Sequence, residues 1–377
     1  MREDAVIAAL SRDLPKGEAT LLGPGDDSAV LALSDSRATI STDILVEGVH
    51  FRSAWSTGYD LGWRLAAQNL ADAAAMGAVP KALVVALAGP PEQLSGEWGL
   101  DFARGLAAYC GRWQVGVVGG DLAGAPMVVA SGTVVGDLEG RPPVTRSGAR
   151  VGDVLALSDA VAAPSSPADA CALGGSAAGL AWLEAGRPRI AGLEALAEAA
   201  RAAYLRPDPP LDLGKRAALG GVTAMMDVSD GLATDAGRMA RASGVRLIID
   251  PASPALAGAM ARWAPLGQSL RHCSTPSSEV PEYSRRAPPP RLDARLTGGN
   301  APPVVGARSP RAGGDERRWV LTGGEDHALV GAFPAESGLP DGWHGIGRVV
   351  EPGPSGPGVQ ILGWETDAPG WDHFCRS

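Results

Sequence analysis

The chain has 377 residues, 45% of them hydrophobic and 20% charged, with a formal net charge of -9. That length exceeds one ordinary core and fits two domains, and the composition excludes a chain that is disordered throughout. The negative balance argues against nucleic acid or an anionic membrane as the main partner, since both need a basic footprint. In chain order, a short β-like run at Ala38 to Thr42 precedes Asp43, and Ser56 or Thr57 then reads as the N-cap of a helix reaching Met76 and ended by Gly77. Lys81 to Ala88 reads as a buried strand, Glu92 to Trp113 as a helix, and Val115 to Val118 and Met127 to Val135 as strands. Gly140 to Asp153, with Pro142, Pro143, Gly148 and Gly152, has the turn chemistry of a connection. The boundary is placed there, giving a first domain at 1–140, a linker at 141–152 and a second domain at 153–377.

In the second half, Asp153 to Leu157 reads as a strand, and Ala177 to Glu184, Leu193 to Tyr204 and Leu213 to Leu219 read as helices. Thr223 to Val228 is a predicted strand, Ser229 a predicted cap for a helix to about Ala242, and Val245 to Ile249 another strand. Strand-like segments return at Trp319 to Thr322, Ala328 to Phe333 and Gly345 to Val350, and a Pro/Gly-rich tail follows. Arg271 to Glu316 breaks the pattern: it is rich in Pro, Arg, Ser and Gly, contains Pro288-Pro289-Pro290, lacks apolar periodicity and reads as a disordered insertion. No apolar run approaches the roughly 20 residues of a membrane helix. Glu3 and Asp4 stand where a signal peptide would be basic, so a cytoplasmic protein is expected. Cys110, Cys171, Cys273 and Cys375 form no CxxC pair and read as ordinary thiols.

The chemistry lies in the carboxylates. Asp26 and Asp27 follow Gly23-Pro24-Gly25, Asp43 follows the first predicted strand, Asp121 follows Gly119-Gly120, and Asp227 ends a strand with Asp230 just beyond. Strand ends deliver side chains into the crevices where α/β proteins bind ligands. Asp72 instead sits inside a helix among Leu70, Ala71, Ala73 and Ala74, a setting in which a charge calls for a cation. Hard oxygen ligands in this number suit Mg²⁺ and suit zinc poorly. A single Asp of this kind is more often a turn former, but six such positions together point to metal. Gly119-Gly120-Asp121 and Gly323-Gly324-Glu325-Asp326 would let backbone approach a phosphate, although either could be only a tight turn. Arg146 could pair with a phosphate or simply be exposed, and His50, Glu325 and Trp371 could be buried hydrogen-bonding groups. There is no GxxxxGK[ST] loop and no HRD or DFG set, so ATP would need another scaffold.

Together, Gly25-Asp26-Asp27-Ser28-Ala29, Ser41-Thr42-Asp43-Ile44-Leu45-Val46-Glu47-Gly48-Val49-His50-Phe51 and Asn69-Leu70-Ala71-Asp72-Ala73-Ala74-Ala75-Met76-Gly77-Ala78 resemble the successive N-terminal motifs of the thiamine-monophosphate kinase family. The order continues with Gly119-Gly120-Asp121, Thr145-Arg146-Ser147-Gly148, Ser176 to Leu180, Asp227-Val228-Ser229-Asp230-Gly231-Leu232, Gly323 to Asp326 and Trp371-Asp372-His373-Phe374. The resemblance implies an α+β, two-domain PurM-like fold, with an N-terminal sheet through which a homodimer forms and a C-terminal α/β domain. It further implies ATP as co-substrate, several Mg²⁺ ions and thiamine monophosphate as phosphoryl acceptor. Carried over by position, Asp26, Ser41, Thr42, Asp43, Asp72, Asp121, Asp227 and Asp230 match metal positions. Gly120, Asp121, Arg146 and Ser229 match nucleotide contacts, and His50, Glu325 and Trp371 match substrate contacts. Direct in-line transfer is implied, with no protein nucleophile. Two alternatives stand beside this: another ATP-dependent member of the superfamily, or a nucleotide-binding homologue impaired by the insertion. A selenophosphate synthetase would want a reactive N-terminal Cys, and the first here is Cys110.

Overall fold

The computed structural model describes residues 14–22, 30–158, 173–272, 316–354 and 356–364. Asp26, Trp371 and residues 273–315 of the predicted insertion lie outside them. A short hairpin, β1 (Thr20–Leu22) and β2 (Val30–Leu31), precedes β3 (Ala38–Val46). Then come α1 (Gly58–Ala75), β4 (Val79–Gly89), α2 (Pro91–Leu94), α3 (Glu97–Arg112), β5 (Gly116–Gly124) and β6 (Val129–Asp137). The four strands β3-β6-β4-β5 form one sheet, antiparallel except for the β4/β5 pair.

Helix α1 begins where the sequence places it. Thr57 Oγ1 accepts from the backbone N–H of Asp60, and the Asp60 carboxylate accepts from that of Thr57, a reciprocal capping box. Its Ala- and Leu-rich run is buried nearly all round, against the sheet on one side and α3 on another, and it carries Arg64, Gln68 and Asn69 into the interior. Gly62 allows the close helix crossing, because a Cβ there would sit 2.1 Å from the carbonyl oxygen of Phe102.

The second half continues with β7 (Val154–Ser158), α4 (Gly175–Glu184), α5 (Glu194–Leu205), α6 (Leu211–Leu219), β8 (Ala224–Asp227), α7 (Leu232–Ser243), β9 (Arg246–Ile249) and α8 (Pro254–His272). It ends with α9 (Glu316–Thr322), β10 (Leu329–Phe333), β11 (Trp343–Val350) and β12 (Gly358–Ile361). Six strands form a sheet in the order β12-β9-β11-β7-β10-β8, with only β12/β9 parallel. Its core holds Leu155, Leu157, Met226, Ile249 and Trp263. Helix α6 joins the halves: Leu211 belongs to the core of the first sheet, while Leu213 and Ala217 pack with Phe333 and Trp343 of the second.

Several expectations are corrected. Trp319 to Thr322 is helical rather than extended, because Trp319, Val320 and Leu321 bury together against the second core; a short apolar run does not separate the two conformations. Ser229 does not cap α7. The cap is Gly231, at φ 103°, where a Cβ would fall 2.6 Å from the carbonyl oxygen of Thr322. Glu92 to Trp113 divides into α2 and α3 at Ser95-Gly96. Asp43 and Asp121 lie within strands, not after them. At the edges of the predicted insertion, Arg271 and His272 close α8 and Glu316 opens α9.

Candidate functional site

Strand periodicity sorts the candidates on the first sheet. Ser41, Asp43 and the buried Leu45 face α1, while Ile40, Thr42 and Ile44 face the open side. Ser41 Oγ donates to Asp72 Oδ2 at 2.5 Å, tying β3 to α1. Asn69, fully buried, accepts from the backbone N–H of Asp43 at 3.3 Å and donates to the Leu65 carbonyl at 2.8 Å. It fits over Gly132, the register partner of Asp43, where a Cβ would stand 2.5 Å from Asn69 Nδ2. Thr42 instead shares a hydroxyl hydrogen bond of 2.8 Å with Thr133. Asp121 is exposed and lies opposite Ala86, on the open side with Thr42. Gly120 lies opposite Val85 and is required by the sheet itself, because a Cβ would sit 1.9 Å from the Val85 carbonyl oxygen.

From the second half, β8 delivers Asp227 at its last residue. The backbone then crosses between β8 and the lead-in to β10: Val228 donates to the Ala328 carbonyl, His327 to that of Val228, and Glu325 to that of Ser229. These bonds hold Glu325 and His327 at φ 69° and 53°, a conformation that non-glycine residues seldom adopt and that costs about 1–3 kcal/mol. The three side chains of Glu325-Asp326-His327 diverge to three partners. Glu325 Oε2 pairs with Arg64 Nη2 at 2.8 Å, across from α1. Asp326 accepts from the backbone N–H groups of Gly174 and Ser176 at 2.7 and 2.9 Å, capping α4, whose own N-cap residue, Gly174, supplies no side chain. His327 Nδ1 lies 3.2 Å from Asp227 Oδ2, and its Nε2 approaches Glu325 Oε2 to 3.5 Å, an ionic contact rather than a formed hydrogen bond.

The electrostatics follow from this gathering. Burial pushes Asp43 up from the ordinary carboxylate range, Asp227 and Glu325 add to the rise, and His327 opposes it. Burial, then the charges of Asp227 and Asp43, push Asp72 up in the same way. Burial alone would raise Glu325, but the Arg64 guanidinium and His327 hold it well below the ordinary value. Burial opposes the charged form of His327, yet Asp227 and Glu325 push it up to about 10. Among the described residues the pattern is one of buried carboxylates in mutual repulsion. Among the described residues, no three His, Cys, Asp or Glu side chains converge tightly enough to enclose a metal ion by themselves.

The other candidates are placed as follows. His50 sits in the tight turn after β3, where its Nδ1 accepts from the backbone N–H of Val46 at 3.0 Å and its carbonyl accepts from Arg64 and from the Tyr204 hydroxyl. Asp230 is ion-paired with Arg238, which also reaches Asp235 at 2.6 Å. Arg146 is exposed, on a loop whose backbone is fastened by the Ser243 hydroxyl and by Met225. Sequence reasoning missed Arg64, Gln68, Tyr204 and His327. For Arg64 and Gln68 a signal existed, since a helix apolar on every side must bury whatever polar residues it carries. Among the described residues no helix is long and apolar enough to cross a membrane.

A sheet-and-helix unit at each end of the chain, with carboxylates meeting between them, defines the class. Residues 25–138 match the AIR synthase related protein N-terminal domain and residues 150–271 its C-terminal domain, and the fold is the α+β PurM-like one. The thiamine-monophosphate kinase of Mycobacterium tuberculosis is 39% identical over 373 residues, covering 99% of this chain and 91% of that protein. The solved thiamine-monophosphate kinase of Stenotrophomonas maltophilia K279a superposes with a TM-score of 0.65 at 26% identity, over 96% of this chain and 95% of that one. AaThiL complexed with AMPPCP and TMP gives a TM-score of 0.63 at 28% identity, over 89% and 87%. This chain belongs to the thiamine-monophosphate kinase family.

Proposed function

We propose that this enzyme, a thiamine-phosphate kinase, transfers the γ-phosphoryl group of ATP in line to the phosphate of thiamine monophosphate, giving thiamine diphosphate. The observation that carries this reading is the meeting of Asp43 and Asp72 from one half with Asp227 and Glu325 from the other. In this reading Asp26, Ser41, Asp43, Asp72, Asp227 and Asp230 are the positions that hold Mg²⁺ about the carboxylate cluster, while Thr42 and Asp121, on the open side of the first sheet, hold Mg²⁺ apart from it. The all-oxygen donor set fits that ion, and so does the lack of a closed protein cage among the described residues, because Mg²⁺ is commonly held by one or two carboxylates together with substrate phosphates. Bound there, Mg²⁺ would neutralise the phosphate oxygens that otherwise repel one another. Ser41 keeps Asp72 oriented and Asn69 holds the β3 backbone beside it.

Gly120, Asp121, Arg146 and Ser229 receive the nucleotide, and His50, Glu325 and Trp371 receive the acceptor. The acceptor's phosphate oxygen is already anionic, so no general base is required and alignment is the protein's main contribution. The open side of the first sheet, with Ile40 69% and Ile44 49% exposed, supports pairing of two copies through it. The division at residues 141–152 and a cytoplasmic location complete the reading. A coupled assay of ATP consumption, with thiamine diphosphate measured directly, tests it. Turnover should need thiamine monophosphate and Mg²⁺, and thiamine should not replace the monophosphate. Equal rates on thiamine would overturn the mechanism.

A further inference from the structure

Each carboxylate of the cluster has a role in the reading above, but the imidazole of His327 has none. Its Nδ1 meets Asp227 Oδ2 at 3.2 Å and its Nε2 faces Glu325 Oε2 at 3.5 Å. Asp227 belongs to the metal positions and Glu325 to the acceptor side. Arg64 also pairs with Glu325, but among the described ion pairs His327 is the group that touches both carboxylates. The ring is planar and rigid, its two nitrogens point in different directions, and it is 4% exposed. Its backbone is held at φ 53° by the bond from His327 to the Val228 carbonyl, so the ring is fixed relative to β8.

Resting on the function proposed above, we infer that His327 is a positioning residue, whose ring spaces the Asp227 carboxylate on the donor side from the Glu325 carboxylate on the acceptor side. It acts through those two groups and touches neither substrate. The consequence is separable, because each nitrogen serves a different ligand. An Asn side chain presents its amide nitrogen near the place of Nδ1, and a Gln side chain reaches the place of Nε2. His327→Asn therefore keeps the Asp227 bond and gives up the Glu325 contact, whereas His327→Gln does the reverse.

Calorimetric titrations of each variant with thiamine monophosphate and with Mg²⁺·AMPPCP read this directly. His327→Asn should bind thiamine monophosphate about tenfold more weakly with nucleotide affinity nearly unchanged, and His327→Gln should show the opposite split. Parallel loss of both affinities in both variants would mark a purely structural role and overturn the inference, as would no change in either. The wild-type enzyme gives a measurement that does not depend on a variant folding. With ¹⁵N-labelled histidine only five residues appear, and His327 is assigned by substituting the other four. Its Nδ1 resonance should move on adding Mg²⁺·AMPPCP and its Nε2 resonance on adding thiamine monophosphate; silence to both saturating ligands would overturn the inference. A wild-type enzyme that binds neither ligand overturns the proposed function as well, whereas one that binds both without the split overturns only the role of His327.

Discussion

A carboxylate driven toward neutrality by burial and by neighbouring negative charge gains most when a cation arrives. Asp72 is in that position, held by Ser41 and repelled by Asp43 and Asp227. Asp72→Asn should lower kcat/KM by about a hundredfold or more even at saturating Mg²⁺. In EDTA its melting temperature should equal or exceed that of the wild type, because the repulsion is relieved. Steady-state kinetics and thermal melts on the same preparation check both halves, and near-normal turnover would remove Asp72 from the metal site. At this scale the sequence revealed the carboxylates, since an Asp among alanines in an apolar helix is conspicuous. It did not reveal what neutralises them. Arg64 is more than 260 positions from Glu325, and His327 is 100 positions from Asp227 and meets Glu325 only through a strained backbone, so no local periodicity records either relation. Alternation along β3 did hold the information that Thr42 opposes Ser41 and Asp43, but only once the strand was extended through Val46.

Elements were legible where a cap or a long period marked them, and ambiguous where a few apolar residues stood alone. Thr57 and Gly77 bound α1 as read. Helix α9 was misread because its three buried residues suit a strand equally well, and α8 was overlooked although Leu256, Trp263 and Leu270 bury along it. The cap of α4 lies beyond local sequence, since Asp326 supplies it from elsewhere in the chain. Burial pushes Asp326 up from 3.8 to about 7, against the backbone hydrogen bonds that favour its charged form. Between about pH 4 and pH 7 the folded chain keeps a proton that the unfolded chain has released, so this group's contribution to stability falls as pH rises through that window. Asp326→Asn cannot titrate there. The variant should be less stable than the wild type at pH 5, and the gap should narrow toward pH 8. Melts in EDTA at pH 5, 6, 7 and 8 measure the gap, and a gap that widens with pH would contradict the assignment.

For the whole molecule, the open side of the first sheet and the junction of α8 with α9 carry the consequences. Ile40 and Ile44 stand exposed on an edge strand, so Ile40→Glu together with Ile44→Glu should turn a dimer into a monomer by light scattering; a wild-type monomer would remove the proposed pairing. The junction offers the second test. Helix α8 ends at His272 and α9 starts at Glu316, and the two ends are near neighbours, with Arg271 Nη1 3.4 Å from Glu316 Oε2. Both helices are anchored by residues of their own: Trp263, Leu266 and Leu270 on one side and Trp319, Val320 and Leu321 on the other lie in the same core. Residues 273–315 can therefore be replaced by about four Gly and Ser residues without pulling on either helix. Closing a flexible connection costs roughly 0.6 kcal/mol per doubling of its length, so a bridge of about four residues should stabilise the fold by about 2 kcal/mol. For a chain of this size that is a rise of about 3 °C in melting temperature. Because Glu325 follows α9 and is held by Arg64 and the Ser229 carbonyl, kcat and both KM values should stay within about twofold of the wild type. A fall in melting temperature would show that residues 273–315 make native contacts, and a selective loss of acceptor binding would place those contacts beside Glu325.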